Sequence, residues 1–449
     1  MNKKVNVPLL GLSDRFGPKL IQFEYLQQVL GKIARRFGYQ PLEVPILEYQ
    51  DSFSEDVVGS SPWPEWNEKG CFYLEVPNYH RSYNEKPDLT RALLIPEGTI
   101  SVTRWLGNWM DQNPGTPFPL KVYYELSCFR NELTSELSAT KHRQFKQLGV
   151  EILGSSNLHA DTEIIYLIHR MLNELGIAPS DITFRFNHVH LFRMMVEDCR
   201  IEWKDALIIK ESMDALAECR AGKKPERWDH EYVKIQEISS SYDLSLEQQA
   251  RWQLILHHKE GIFTDLYYEQ FPIDYHPYFD QMNQWIQDFK KVGIHLVADL
   301  CVIRSHEYYT GLSFEVDVHM NGKSFIEIAG GGRYDKLVEH FVSSSQPSSV
   351  PCTGFAFGTE RLFQMCQELG LFPQETRLTL PFLLGEEEKI PLVYPKDLKV
   401  WSYLEMAKMV QDQLETFHIY VGEESVEKQA YLDFHHLEEV LVVHDEDAL

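Results

Sequence analysis

Between residues 18 and 37, Leu20, Phe23, Leu26, Val29, Leu30, Ile33 and Phe37 recur at three- and four-residue spacings, which predicts a helix with one apolar face. Gly38 ends it. YQPLEVPILEY follows as a strand, and Pro45 inside it predicts an edge position or a bulge, because proline cannot donate to a ladder. Extended patterns return in FYLEV (72–76) and RALLIPEGT (91–99), ahead of a helix over 99–109. FPLKVYYELSCFR (118–130) and QFKQLGVEILG (144–154) read as two strands joined by the polar run NELTSELSATKHR. A connection of that length predicts an antiparallel hairpin whose loop has a task of its own. ADTEIIYLIHRMLNELGI (160–177) reads as a helix and SDITFRFNH as the strand after it.

The stretch 190–294 is predominantly helical and contains no recognisable catalytic run, so it reads as an inserted helical domain. Strands resume in GIHLVADLCVI (293–303), GLSFEVDVHM (311–320) and KSFIEIAGGG (323–332). PCTGFAFGTERLFQMCQEL (351–369) predicts a glycine-marked strand running into a helix. From 390 the pattern becomes a βαβαβ alternation: PLVYP, WSYLEMAKMVQDQL, HIYVG, VEKQAYLDFHH and EVLVVHD. That unit is short and stops after its third strand.

Composition adds bounds. The 449 residues are 43% hydrophobic and 24% charged, a globular balance with material for about three domains. No window approaches about 18 uninterrupted apolar residues, which argues against a membrane span. MNKKVNVPLLGLSDRFG has no apolar stretch before Asp14 that would mark secretion. The seven cysteines are scattered, with no CxxC, which excludes a disulfide framework or a cysteine-rich zinc module and points to a reduced, cytoplasmic protein. Charge changes the picture most. Forty-three Lys and Arg against sixty-seven Asp and Glu give −24, which lowers the expectation of extensive contact with a polyanion.

Candidate chemistry falls at strand ends and turns. Arg130 closes a strand and Glu132 follows on the same side if the chain stays extended. An arginine there can clamp phosphate, and a carboxylate can accept from a base amino group or hold a metal; a strand-end salt bridge would use the same pair. GGGRYD (330–335) lacks the GxGxxG and GK[ST] spacings of a phosphate loop, so its glycines predict close backbone packing or a tight turn. IRSHEYYTG (303–311) sets Arg304, Tyr308 and Tyr309 at a strand–turn junction, the two tyrosines on opposite faces if extended. Arg361 follows GTE at a helix start, where it can reach a ligand from the end opposite Arg130. PEGT (96–99) offers a carboxylate and a hydroxyl at a helix entry, where Thr99 would also serve as a plain N-cap.

As an ordered set, these segments resemble the class II aminoacyl-tRNA synthetases, and most closely the histidyl-tRNA synthetase branch. That branch includes the regulatory subunit of ATP phosphoribosyltransferase. Helix 18–37 with PLEVPILE resembles the first class motif, used in dimerisation; FRNE, its loop and HRQFKQLGVEILG resemble the second; GFAFGTER resembles the third. LIPEGT, IRSHEYYTG and GGGRYDKL are similar to segments peculiar to the histidyl branch. The resemblance implies an α/β (α+β) fold: a mixed antiparallel sheet with flanking helices over 1–190 and 290–380. A helical insertion over 191–289 and a truncated, acidic anticodon-binding-like α/β domain over 388–449 complete it.

The resemblance also implies roles. Arg130 would hold the ATP α-phosphate, Glu132 would read the adenine amino group, Phe145 would stack on the adenine, and Arg361 would cover its other face and the γ-phosphate. Mg²⁺ would accompany the triphosphate, with Glu132 as its protein ligand. Arg304 would bind the substrate carboxylate and assist adenylate formation. Glu97, Thr99 and Gln147 would grip the α-amino group, while Glu151, Tyr309 and the neighbouring Tyr308 would address an imidazole. The implied partners are histidine, tRNA, a second copy of the chain and, in the paralogue, a phosphoribosyltransferase catalytic chain.

Several segments depart from the family. The loop reads LTSELSATKH where an RPQxGRxR-like run is usual, is three residues longer, and has Lys141 in place of its phosphate-facing arginine. In this it looks more like a threonyl-type loop. RSHEYY stands for the usual RGLDYY, and Ile95 for the arginine of LRPEGT. Residues 390–449 carry thirteen Asp and Glu against four Lys, an unfavourable balance for gripping an anticodon stem.

Overall fold

Pro18 opens the first helix, Pro18–Arg36, and Arg35 and Arg36 occupy its last turn, where cations suit the carbonyl end. Phe23, Leu26, Leu30 and Ile33 are buried, as their spacing predicts. The computed structural model describes residues 7–59, 69–138, 141–258, 261–304, 308–343 and 349–373, and beyond these 390–395, 404, 408, 418–419 and 437–443.

The segment after Gly38 is not one strand but two: β1 (Gln40–Pro41) and β2 (Leu47–Tyr49), which enter different sheets. Pro41 and Pro45 remove two ladder donors within five residues, and both pieces lie at sheet margins, as the proline argument requires. β3 (Phe72–Asn78) and β4 (Asp88–Leu94) complete a small antiparallel sheet of order β2-β4-β3. The long-loop hairpin is β5 (Leu120–Phe129) and β6 (Gln144–Leu153), in continuous antiparallel register down to Phe129 opposite Gln144. β7 (Ile182–His188) follows helix Leu158–Glu174.

β8 (His295–Ala298) is much shorter than the strand expected over 293–303. At Asp299 the carboxylate accepts from Cys301 N–H at 3.0 Å and pairs with Arg220, and Ile303 N–H turns back to Cys301 O. A side chain has replaced the ladder there. β9 (Leu312–Met320), β10 (Lys323–Arg333) and β11 (Cys352–Gly358) follow, and β11 runs directly into helix Thr359–Leu369.

The large sheet has the order β1-β5-β6-β11-β10-β9-β7-β8. It is mixed: β1 pairs with β5 and β7 with β8 in parallel, and the rest are antiparallel. β11 sits between two hairpins, pairing Gly354 with Glu151 on β6 and with Gly332 on β10. Between β7 and β8 the chain forms the helical insertion, whose last helix, His276–Lys291, buries Phe279, Met282, Trp285 and Phe289. Among the C-terminal residues, β12 (Ile390–Pro395), β13 (His418–Ile419) and β14 (Leu437–Val443) form a parallel sheet of order β13-β12-β14. That matches the strand spacing of the expected βαβαβ unit; apart from residues 404 and 408, which are helical, its two helices lie outside the described residues.

Candidate active site

A cleft of about 850 Å³ opens where the loop ends of β5 and β6 face the middle of β10 and the start of helix Thr359–Leu369. Arg130, Glu132, Lys141, Phe145, Gln147, Arg304 and Arg361 all line it. One wall was not foreseen. The insertion, which carries no catalytic run, returns Asp214, Glu218 and Arg227 to the same cleft.

Arg130 lies over the Phe145 ring, Cζ to centroid 5.2 Å, and its Nε donates to Pro96 O at 3.1 Å. The chain does not stay extended beyond it. Glu132 N–H turns back to Arg130 O at 2.9 Å, and Asn131 is held by Gly70 O and Lys69 O, so Glu132 points away toward Lys141, 3.0 Å distant. Lys141 also meets Glu136 at 2.5 Å. The loop is strapped by an N-terminal segment that no pattern in the sequence marks: Arg143 N–H donates to Gly11 O, and Arg15 pairs with Glu360 at 2.7 Å. Glu360 in turn accepts from Lys146 N–H at 2.7 Å, which fixes the start of the last core helix against β6.

Across the cleft, Arg304 has a left-handed backbone, φ 61°, and its guanidinium rests on Gly330, where a Cβ would lie 2.0 Å from Nη1. Glu315 on β9 meets Nη1 at 3.4 Å, and among the described residues Nε finds no acceptor. The glycine triplet is therefore the close-packing device expected of it: Gly331 likewise abuts Gly354 O, at 2.1 Å from an added Cβ. Arg333 faces the other way, with Asp161 at 2.8 Å and Ser155 O at 2.8 Å. Arg361 Nη1 donates to Glu327 O at 2.7 Å and meets Glu327 Oε2 at 3.2 Å.

Behind the cleft, Glu151 is almost wholly buried. Thr99 and Tyr124 donate to its Oε1 at 3.1 and 3.2 Å, and Tyr334 donates to Oε2 at 2.7 Å. Burial pushes its carboxyl up to about 8, against the pull of these hydroxyl donors. Gly354 opposite it leaves the room, since a Cβ there would be 1.5 Å from Oε2. Gln147 and Glu151 share a face, as even spacing on an unbulged strand requires: Gln147 Oε1 accepts from Gly98 N–H at 2.7 Å, beside Thr99. Tyr308 and Tyr309 are both buried with rings 5.0 Å apart, Tyr308 edge-on to Tyr334, so the two do not lie on opposite faces as in an extended chain.

The helix entry differs from expectation. Thr99 is the first residue of helix Thr99–Gln112, not its cap; Glu97 takes that task, accepting from Thr99 N–H and Ile100 N–H at 2.9 Å each. Its burial raises its pKa, and those two backbone donors lower it. Tyr124 and Tyr334 were not singled out from the sequence. The available signals were Gly98 and Gly149, which leave space for Tyr124, and the tyrosine inside GGGRYD. No group of three or more His, Cys, Asp or Glu suited to a metal is present among the described residues, and no described helix is long and apolar enough to cross a membrane.

A sequence profile of histidyl-tRNA synthetase matches residues 93–362, a span that runs from the end of β4 through Arg361 and holds Glu97, Glu151 and every cleft residue from Arg130 onward. The chain belongs to the histidyl-tRNA synthetase family. It is 25% identical to histidine--tRNA ligase of Saccharolobus solfataricus over 389 residues, covering 86% of this chain and 80% of that one. It is 26% identical to histidine--tRNA ligase of Clostridioides difficile over 380 residues, covering 84% and 79%. In fold it is similar to an ATP phosphoribosyltransferase regulatory subunit/histidyl-tRNA synthetase from Bacillus halodurans C, with TM-score 0.60, 18% identity and coverage of 98% and 99%. Histidyl-tRNA synthetase from Nostoc has the same fold at TM-score 0.58, 16% identity and coverage of 99% and 93%.

Proposed function

We propose that the chain activates histidine with ATP, forming histidyl adenylate and pyrophosphate, and that tRNA is the leading acceptor. The observation that carries this reading is continuity. Arg130 over Phe145, Arg361 and Arg304 line one cleft, and Gln147 joins it to the buried polar cluster around Glu151. In this reading the adenine lies between Phe145 and Arg361, and Glu132 reads its amino group once Lys141 lets go. Arg304 holds the histidine carboxylate. One carboxylate oxygen attacks the α-phosphorus, the bond to the bridging oxygen breaks, and pyrophosphate departs. Arg130 stabilises the charge gathered on the α-phosphoryl oxygens at that moment. Glu97, Thr99 and Gln147 face the α-amino group, and Glu151, Tyr308 and Tyr309 enclose the imidazole.

A magnesium ion travelling with the triphosphate needs only one or two protein carboxylates; Glu132 can serve it only in place of reading the adenine amino group. Bound there, it would neutralise phosphate charge. Residues 1–190 and 290–380 serve as the catalytic core, 191–289 as the insertion and 388–449 as the appended domain, in a cytoplasmic homodimer. Exposed Leu20 on the first helix and Leu47, Leu74 and Leu89 on the small sheet supply apolar surface for the second copy. Light scattering should therefore give about twice 52.5 kDa.

The decisive experiment is ATP–pyrophosphate exchange with each of the twenty amino acids. Exchange dependent on histidine supports the reading; exchange with another acid alone removes histidine, and none at all removes activation. The net charge of −24 favours a second reading, in which the chain senses histidine for a phosphoribosyltransferase catalytic chain, or passes the activated acid to a non-tRNA acceptor. Copurification with such a catalytic chain, without exchange, would select the sensor.

A further inference from the structure

Glu327 has a backbone φ of 56°, a region that residues bearing side chains seldom occupy. It lies where β10 slips register against β9, between Phe325 and Ala329. Its N–H is held by Asp317 Oδ1 at 2.8 Å, so the neighbouring strand fixes the distortion. The bulge brings both its carbonyl and its carboxylate onto Arg361 Nη1, at 2.7 and 3.2 Å. The carboxylate has a second cation, and it comes from the insertion: Lys223 Nζ lies 3.1 Å from the same Oε2. Lys223 follows the end of helix Trp203–Arg220, and Arg220 anchors that end to Asp299 and to Leu256 O. Burial alone would raise the Glu327 pKa, but Lys223 and Arg361 outweigh it and hold it down at about 2. The carboxylate is therefore charged at any working pH.

We propose that the helical insertion is a working wall of the nucleotide site, in which Lys223, through the Glu327 carboxylate, positions Arg361 for the terminal phosphates of ATP. The inference rests on reading the cleft as an ATP site. With Nη1 occupied by Glu327, the Nε and Nη2 edge of Arg361 is what remains for phosphate. Lys223 also pairs with Glu218, so Lys223, Arg361, Glu327 and Glu218 together are neutral. Without Lys223, two carboxylates face Arg361 alone, and an anionic nucleotide meets a less favourable field. Glu327 and Lys223 are thus positioning residues.

The test is calorimetric titration of the full chain with ATP and magnesium, and separately with histidine. Lys223→Ala should weaken ATP binding about three- to tenfold, Lys223→Arg should restore it, and histidine affinity should stay as in the parent. In a Glu327→Gln background the Lys223→Ala change should have no further effect, which a general loss of structure would not produce. Parent-like ATP affinity in Lys223→Ala, an equal loss in both backgrounds, or a matching loss of histidine affinity would overturn the link. A parent that binds ATP yet shows no exchange with any amino acid removes the activation reading and leaves the link standing. A parent that binds no ATP removes both.

Discussion

Three hydroxyls, from Thr99, Tyr124 and Tyr334, converge on the Glu151 carboxylate, and its carboxyl sits at about 8 where 4.5 is ordinary. A group that holds its proton more tightly when folded contributes stability that is complete below its unfolded pKa and is lost as pH rises through the folded one. The ligand-free protein should therefore lose thermal stability between about pH 5 and 8, and Glu151→Gln should flatten that slope; melting curves across the range check both. Glutamine keeps the size of the side chain but can neither lose nor take up a proton, so the same variant should bind histidine more weakly by about 1–3 kcal/mol while ATP binding is kept. Titration of each ligand separates the two effects. At this scale the sequence was partly legible. Even spacing put Gln147 and Glu151 on one face, and so the structure has them. It could not show that Glu97 would cap the helix in place of Thr99, because both residue types satisfy a helix entry and only the fold decides which oxygen reaches the N–H groups.

Among the elements, β10 does two things within eleven residues. Its glycines let Arg304 and β11 approach, and its last residue, Arg333, ties the strand to the entry of helix Leu158–Glu174 through Asp161 and the carbonyls of Ser155 and Asn157. Replacing Arg333 by alanine leaves Asp161 buried without its cation, and should cost about 3–5 kcal/mol. Urea unfolding of the variant measures this. The existence of the helices followed from periodicity, as the burial of Phe23, Leu26 and Leu30 on the first of them shows. The failures lie where a side chain intercepts the backbone. Asp299 ends β8 early, and two prolines divide the segment after Gly38 between two sheets. Neither interruption alters the hydrophobic pattern from which the strands were read.

For the whole molecule, the ordered motifs gave the family but not the walls of the cleft. The insertion contributes Asp214, Glu218 and Arg227 by tertiary return, and no local spacing records that. Charge is the other molecular term. At −24, any tRNA complex depends on a local patch with few phosphate contacts, so its affinity should fall only shallowly with salt. A log–log plot of tRNA binding against salt gives the number of contacts directly, and a slope steeper than about −5 would contradict the expectation of so few.

The position of β11 also governs when the sheet can exist. Its neighbours, β6 and β10, end at Leu153 and Arg333, while β11 spans Cys352–Gly358. During synthesis both hairpins emerge first, each presenting one unsatisfied edge, and only the late strand unites them. Until then the ribosome-bound chain carries two templates for adventitious pairing. A chain released after residue 349 should accordingly aggregate, whereas one released after 373 should stay dispersed, and sedimentation of the two translation products distinguishes them. The candidate active site is completed at the same instant, since Gly354 and Arg361 arrive with the strand that closes the sheet and the helix after it.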